Sequence, residues 1–167
     1  GAGGGAMAAI LGFDRNQLEE IVLATQGVVI ANDNSSSQVV ISGTPEAVET
    51  VTSNVKCKRA VPLNVSGAFH SPFMKEASQA FSKDLDDILF NDPVFPVISN
   101  FNPIPESNGS ILKENLKQQM TNGVRWRETM NAMIDNEISV FVEIGPGNVL
   151  SGLAKRSLTG VSISQIA

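Results

Sequence analysis

Hydrophobic positions along the chain change period several times, and each change marks an element. Ala6 to Gly12 is an apolar run of strand length. Asp14 follows where a helix N-cap is expected, with Gln17 three residues on in capping-box register. Leu18, Ile21, Val22 and Thr25 then recur at helical spacing. Val28 to Ala31 is β-branched and strand-like, Asn32 to Ser37 reads as a polar turn, and Gln38 to Ser42 as a second strand, so this stretch predicts a hairpin. Thr44 and Pro45 open another helix as N-cap and first helical position, and Ala47, Val48, Val51 and Val55 supply its apolar face. Arg59 to Leu63 reads as a last strand. The order βαββαβ is the split, ferredoxin-like pattern.

Downstream the helical period dominates. Ser71 and Pro72 begin a long helix with Met74, Ala77, Phe81, Leu85 and Ile88 on one face, and Asp92-Pro93 breaks it. Val94 to Ser99 is strand-like, with Pro96 restricting it to an edge or a strand start. Asn102 to Gly109 is a polar loop. Leu112 to Met120 and Glu128 to Ile134 read as helices, and Ile138 to Ile144 as a buried strand. Gly145-Pro146-Gly147 is a tight turn, and Asn148 to Leu158 a helix. Helices alternating with strands predict a parallel α/β layer. The organisation read from this pattern is a linker or cut end at 1–5, a small βαββαβ domain at 6–64 and an α/β remainder at 65–167.

Composition narrows the function classes. With 167 residues, 42% of them hydrophobic, the chain is long enough to bury a real core. A net charge of −5 disfavours general binding to nucleic acid or to an anionic membrane. No apolar run reaches the length of a membrane span. Cys57 is the only cysteine, so no disulfide forms within the chain and no thiolate cluster can hold a metal. One histidine and scattered carboxylates offer no metal site either.

That one histidine, His70, carries the candidate chemistry. It lies in Val65-Ser66-Gly67-Ala68-Phe69-His70-Ser71-Pro72, between a strand-like run and a helix start. Imidazole is the side chain best suited to moving protons near neutral pH. A base needs a nucleophile to activate, yet no Gly-x-Ser-x-Gly elbow occurs. Ser66 and Ser71 flank His70 without that context, and Cys57 has no acid–base partner nearby in sequence. Asn32, Asn34 and Ser35 to Ser37 form a polar cluster suited to turn chemistry or to hydrogen-bonding a carboxylate or an amide. Gly145-x-Gly147 lacks the third glycine of a phosphate loop, since Leu150 stands there, and reads as a structural turn. Arg125 and Arg127 around Trp126, and the pair Lys155-Arg156, resemble small anion-binding surfaces or solvated faces.

Taken together, these segments resemble the malonyl-CoA:acyl carrier protein transacylases. The resemblance is carried by Gly5 to Gly12, Asn34 to Gly43, Ala68-Phe69-His70-Ser71 with Met74, Val124-Arg125-Trp126, and Val142 to Gly147 with Val149 to Leu153. It implies a ferredoxin-like small domain joined to the C-terminal part of an α/β-hydrolase-like acyltransferase domain. It implies malonyl transfer from malonyl-CoA to the phosphopantetheine thiol of acyl carrier protein through a Ser–His acyl-enzyme, in fatty acid or polyketide synthesis. His70 is then the general base and acid, the main-chain carbonyl of Gln119 orients its ring, Asn34 lines the acyl pocket, and Phe69 favours malonyl over bulkier groups. No cofactor is held permanently, and the coenzyme A thioester is a substrate. The family's nucleophilic serine belongs to an N-terminal segment that this chain does not contain. The chain alone is therefore expected to be inactive and poorly stable, with that segment as a partner. The expected location is cytoplasmic, or a plastid in a eukaryote. The alternative is a non-catalytic lobe that binds acyl carrier protein through Lys155, Arg156 or Arg125. A lesser one is a hydrolase in which Cys57 or Ser71 acts with His70.

Overall fold

Strand β1 (Ala6–Phe13) alternates its side chains between two faces, and both faces are apolar. Helix α1 (Arg15–Ala24) follows, with the Asp14 carboxylate accepting the Gln17 amide at 2.9 Å. The capping box is half built. Gln17 Oε1 turns away from Asp14 and accepts the Lys56 amide at 3.1 Å. Strands β2 (Val28–Ser35) and β3 (Gln38–Gly43), helix α2 (Pro45–Asn54) and strand β4 (Cys57–Pro62) complete the first unit. Thr44 caps α2 through its hydroxyl, as its position predicts. The computed structural model describes residues 4–166. The linker expected at 1–5 lies outside these at residues 1–3.

The four strands form one sheet in the order β2-β3-β1-β4, with every neighbouring pair antiparallel. Ile10, Val39 and Ile41 face α1 and α2, where Leu18, Val48 and Val51 meet them in one buried cluster. Each fully buried aliphatic there contributes about 1.5–3 kcal/mol relative to exposure. Met7, Ala9, Ala31 and Val40 form a second cluster on the opposite face.

One expectation fails in this sheet. Asn32 to Ser35 is not a turn but the second half of β2, leaving only Ser36 and Ser37 at the bend. Two register shifts, between Ile30 and Asn32 and between Asp33 and Ser35, let these polar residues stay in the ladder. The outer edge of β2 is also paired. Val124 donates its amide to Ala31 O at 2.7 Å, and Asp33 donates its own to Val124 O at 2.8 Å.

The following helix starts as a single 3₁₀ turn, Pro72–Met74, before α3 (Lys75–Asp86). Ile88, expected on the helix, lies beyond its end and is half exposed. Val94 to Ser99 forms no strand, only one bridge between Val97 and Glu106. Pro93, Pro96, Pro103 and Pro105 remove the amide donors that a longer ladder needs. Helices α4 (Gly109–Gln118) and α5 (Trp126–Asp135) follow. Strand β5 (Val140–Ile144), helix α6 (Val149–Ser157) and strand β6 (Ser162–Ile166) form a parallel β–α–β unit. The hydrophobic pattern missed β6, whose five residues alternate too briefly to stand out. Phe141 of β5 packs with Met130, Ala154 and Leu158, while Val140, Val142 and Ile144 on the other face stay exposed.

Candidate functional site

His70 sits on a tightly supported loop. Gly5, just before β1, passes so close that a Cβ on it would stand 2.2 Å from the Ala68 amide nitrogen. Ser71, fully buried, donates its hydroxyl to Ala68 O at 2.6 Å and accepts the Phe73 amide at 3.3 Å. Ser71 is therefore committed to holding the loop rather than free as a nucleophile. His70 between them has φ = 54°, the left-handed region that a non-glycine residue enters at a cost of about 1–3 kcal/mol.

The ring is fixed from across the molecule. His70 Nδ1 lies 2.9 Å from the main-chain carbonyl oxygen of Gln119, 49 residues away at the end of α4. A carbonyl only accepts, so Nδ1 carries the proton, and Nε2 of the neutral ring keeps its lone pair. Gln119 also borders an apolar pocket of about 240 Å³ with Phe90, Val97, Leu112 and Leu116. Phe69, next to His70, is 38% exposed. Asn34 is half-buried near the end of β2, and no hydrogen bond joins it to His70 among the described residues. Cys57 starts β4, paired with Phe13.

The basic residues divide. Arg125 bonds Glu128 through Nε at 2.8 Å. Arg127 bonds Asp33 through Nε at 2.9 Å, and Arg15 reaches the other Asp33 oxygen at 2.9 Å. Glu128 holds the Arg125 guanidinium above the ordinary range, and Asp33 does the same for Arg127, chiefly by hydrogen bonding. The Arg125–Arg127 pair is thus not a free anion-binding surface. The Arg15–Asp33–Arg127 triad instead ties α1, β2 and α5 together. Arg156, the serine turn Ser35 to Ser37, Asn131 and Arg127 surround a cleft of about 330 Å³. Features separate in the sequence converge there.

The Gly145–Gly147 turn is structural. Gly145 (φ 132°) and Gly147 (φ 86°) adopt backbone that favours glycine. The start of α6, where a phosphate loop would place its ligand, holds the Glu143 carboxylate instead. Glu143 accepts the Leu150 amide at 3.1 Å and the Ser151 amide at 2.7 Å. The neighbouring Ser151 hydroxyl and these two amides hold the Glu143 carboxyl below the usual carboxylate range, against the effect of desolvation. Ser151 Oγ is buried without an aligned partner, so the amides are the geometric cap. A depressed carboxyl stabilises the fold above the unfolded glutamate value, about 4.3, and loses that contribution as pH falls through the folded value. Urea midpoints of the wild type and Glu143→Gln should therefore differ most near neutrality and converge as pH falls through the depressed folded value.

The sequence profile of the acyl transferase domain matches residues 1–166. The chain belongs to the acyl transferase domain family. A malonyl CoA-acyl carrier protein transacylase of Synechocystis sp. is 51% identical over 165 residues, covering 99% of this chain and 56% of that protein. The crystal structure of the Synechocystis sp. malonyl-CoA:ACP transacylase matches at a TM-score of 0.95 and 51% identity, over 99% of this chain and 56% of that one. A solved complex of a malonyl-transacylase with its type II polyketide acyl-carrier protein matches at 0.90 and 35% identity, again over 99% and 56%. This acyl transferase chain thus spans just over half the length of these relatives and shares their mixed α/β fold over that span.

Two features of this acyl transferase chain escaped the sequence reading, Asp33 and the Asn122-Gly123 pair after α4. The latter had a signal, since Asn-Gly beyond a helical run marks a helix stop. No group of three or more histidine, cysteine, aspartate or glutamate side chains among the described residues is placed to hold a metal. No helix among them is long and apolar enough to cross a membrane.

Proposed function

We propose that this chain is the C-terminal part of a malonyl-CoA:acyl carrier protein transacylase. The whole enzyme moves malonyl from coenzyme A to a serine outside this chain, then to the phosphopantetheine thiol of acyl carrier protein, with no permanently bound cofactor. The carrying observation is the 2.9 Å contact between His70 Nδ1 and Gln119 O. It leaves Nε2 free to take the serine proton, return it to the departing coenzyme A thiol, and repeat both steps with the carrier thiol. A main-chain carbonyl fills the ring-orienting role that an aspartate plays in other triads. Phe69 and Asn34 line the malonyl pocket. The cleft at Ser35 to Ser37 and Arg156 receives the carrier side of the substrate, whose phosphate and acidic protein suit its serine hydroxyls and arginine.

In this reading residues 6–64 are a ferredoxin-like small domain and 65–167 the C-terminal part of the large one. A segment equivalent to the relatives' unmatched length covers the exposed face of β5 and supplies the serine. The setting is cytoplasmic or plastidic. The alternative, a non-catalytic carrier-binding lobe, differs in one observable. Incubated with radiolabelled malonyl-CoA, the 167-residue chain alone should retain no covalent label. Joined to the unmatched segment of a relative, it should retain label and pass it to acyl carrier protein. Failure of the joined protein to label would favour the binding lobe.

A further inference from the structure

Helix α4 ends in a way that frees one carbonyl. In a continuing α-helix the Gln118 carbonyl would accept the Asn122 amide, and the Gln119 carbonyl would accept the Gly123 amide. Neither bond is present among the described residues. Gln118 O instead accepts Asn122 Nδ2 at 2.9 Å and, at a longer 3.3 Å, the Thr121 amide, so the side chain of Asn122 makes the shorter bond in place of its own backbone amide. Nδ2 also lies 3.3 Å from Thr121 Oγ1. Gly123 is drawn to the edge of β2, and Val124 pairs with Ala31. One residue earlier, Ser78 of α3 donates its hydroxyl to Lys117 O at 3.2 Å. Three successive carbonyls, none of which takes the amide four residues on, meet three side chains, and the third of these is His70.

We propose that Asn122 is a positioning residue for His70. Its amide takes the Gln118 carbonyl, stops α4, and so presents the Gln119 carbonyl to Nδ1. This assignment rests on the reading of His70 as the group that moves protons. Without the Asn122 amide, α4 can wind one turn further, and the Gly123 amide then competes with Nδ1 for Gln119 O. The ring is released toward the Nε2–H tautomer, which cannot accept a proton at Nε2.

A single histidine makes the test direct. A long-range ¹⁵N spectrum of the full chain at about pH 8.5, above the ordinary imidazole range, reads the tautomer of His70. The wild type should be mainly Nδ1–H. Asn122→Ala should shift the tautomer ratio about fivefold toward Nε2–H, the effect of one net hydrogen bond. Asn122→Ser, whose hydroxyl can back-bond to the same carbonyl four residues earlier, should keep the wild-type ratio. An unchanged ratio in Asn122→Ala would overturn the proposal. So would loss of dispersed amide signals in either variant, because Asn122 would then serve stability. A shifted ratio, with malonyl transfer by the joined enzyme indifferent to His70→Ala, would leave the positioning intact and remove the catalytic reading.

Discussion

His70→Ala, made in the chain joined to the unmatched segment of a relative, should lower kcat for malonyl transfer about 10³-fold, the scale of losing a positioned general base. KM for malonyl-CoA should change little, because the ring acts on the proton of the nucleophile and not on the bound thioester. Stability should stay within about 1 kcal/mol of wild type. One hydrogen bond to Gln119 O is lost, while the backbone at φ = 54° costs alanine about what it costs histidine, since both carry a Cβ. Gln119→Ala is the informative companion. The contact uses the main-chain oxygen, so removing the side chain should leave kcat within about threefold of wild type. Steady-state transfer to acyl carrier protein and a urea melt decide both points. A kcat for His70→Ala within tenfold of wild type would remove the imidazole from the chemistry.

The sequence carried much of the fold where local physics decides structure. The N-caps at Asp14 and Thr44, the Pro45 start and the apolar faces of α1 and α2 are short-range effects, and they appear where the pattern placed them. Several misreadings lie where distant partners decide. Asn32 to Ser35 looks like a turn from its polarity alone, but Val124, some ninety residues on, pairs its outer edge and keeps it extended. Val94 to Ser99 has strand composition, but its prolines leave too few donors for a ladder. Arg127 looked free because its partner, Asp33, is remote in sequence. His70 was visible as a lone histidine at an element junction. Its acceptor is a main-chain atom with no side-chain signature, and the resemblance to a family, not the local pattern, pointed to Gln119.

Gly123→Val should cost about 2–4 kcal/mol of stability and, in the joined enzyme, about 10²-fold in kcat. A Cβ at Gly123 would lie 2.8 Å from the Ile30 carbonyl oxygen, a backbone atom held in the sheet. The segment must therefore retreat from β2, which strains the paired hydrogen bonds of Val124 with Ala31 and Asp33. Gln119 lies four residues upstream on the same short segment, so the retreat also displaces the acceptor of His70 Nδ1. Displacement of about 1 Å is enough for a loss of this size in catalysis. Gly152 in α6 provides the opposite case. An added Cβ there meets nothing within 4 Å, so Gly152→Ala should raise stability by about 0.5–1 kcal/mol through helix propensity and leave kcat unchanged. Urea unfolding and steady-state kinetics on the two variants separate a glycine required by close backbone approach from one that is merely tolerated. Equal stability for Gly123→Val and wild type would mean that the contact with β2 does not hold the end of α4 in place.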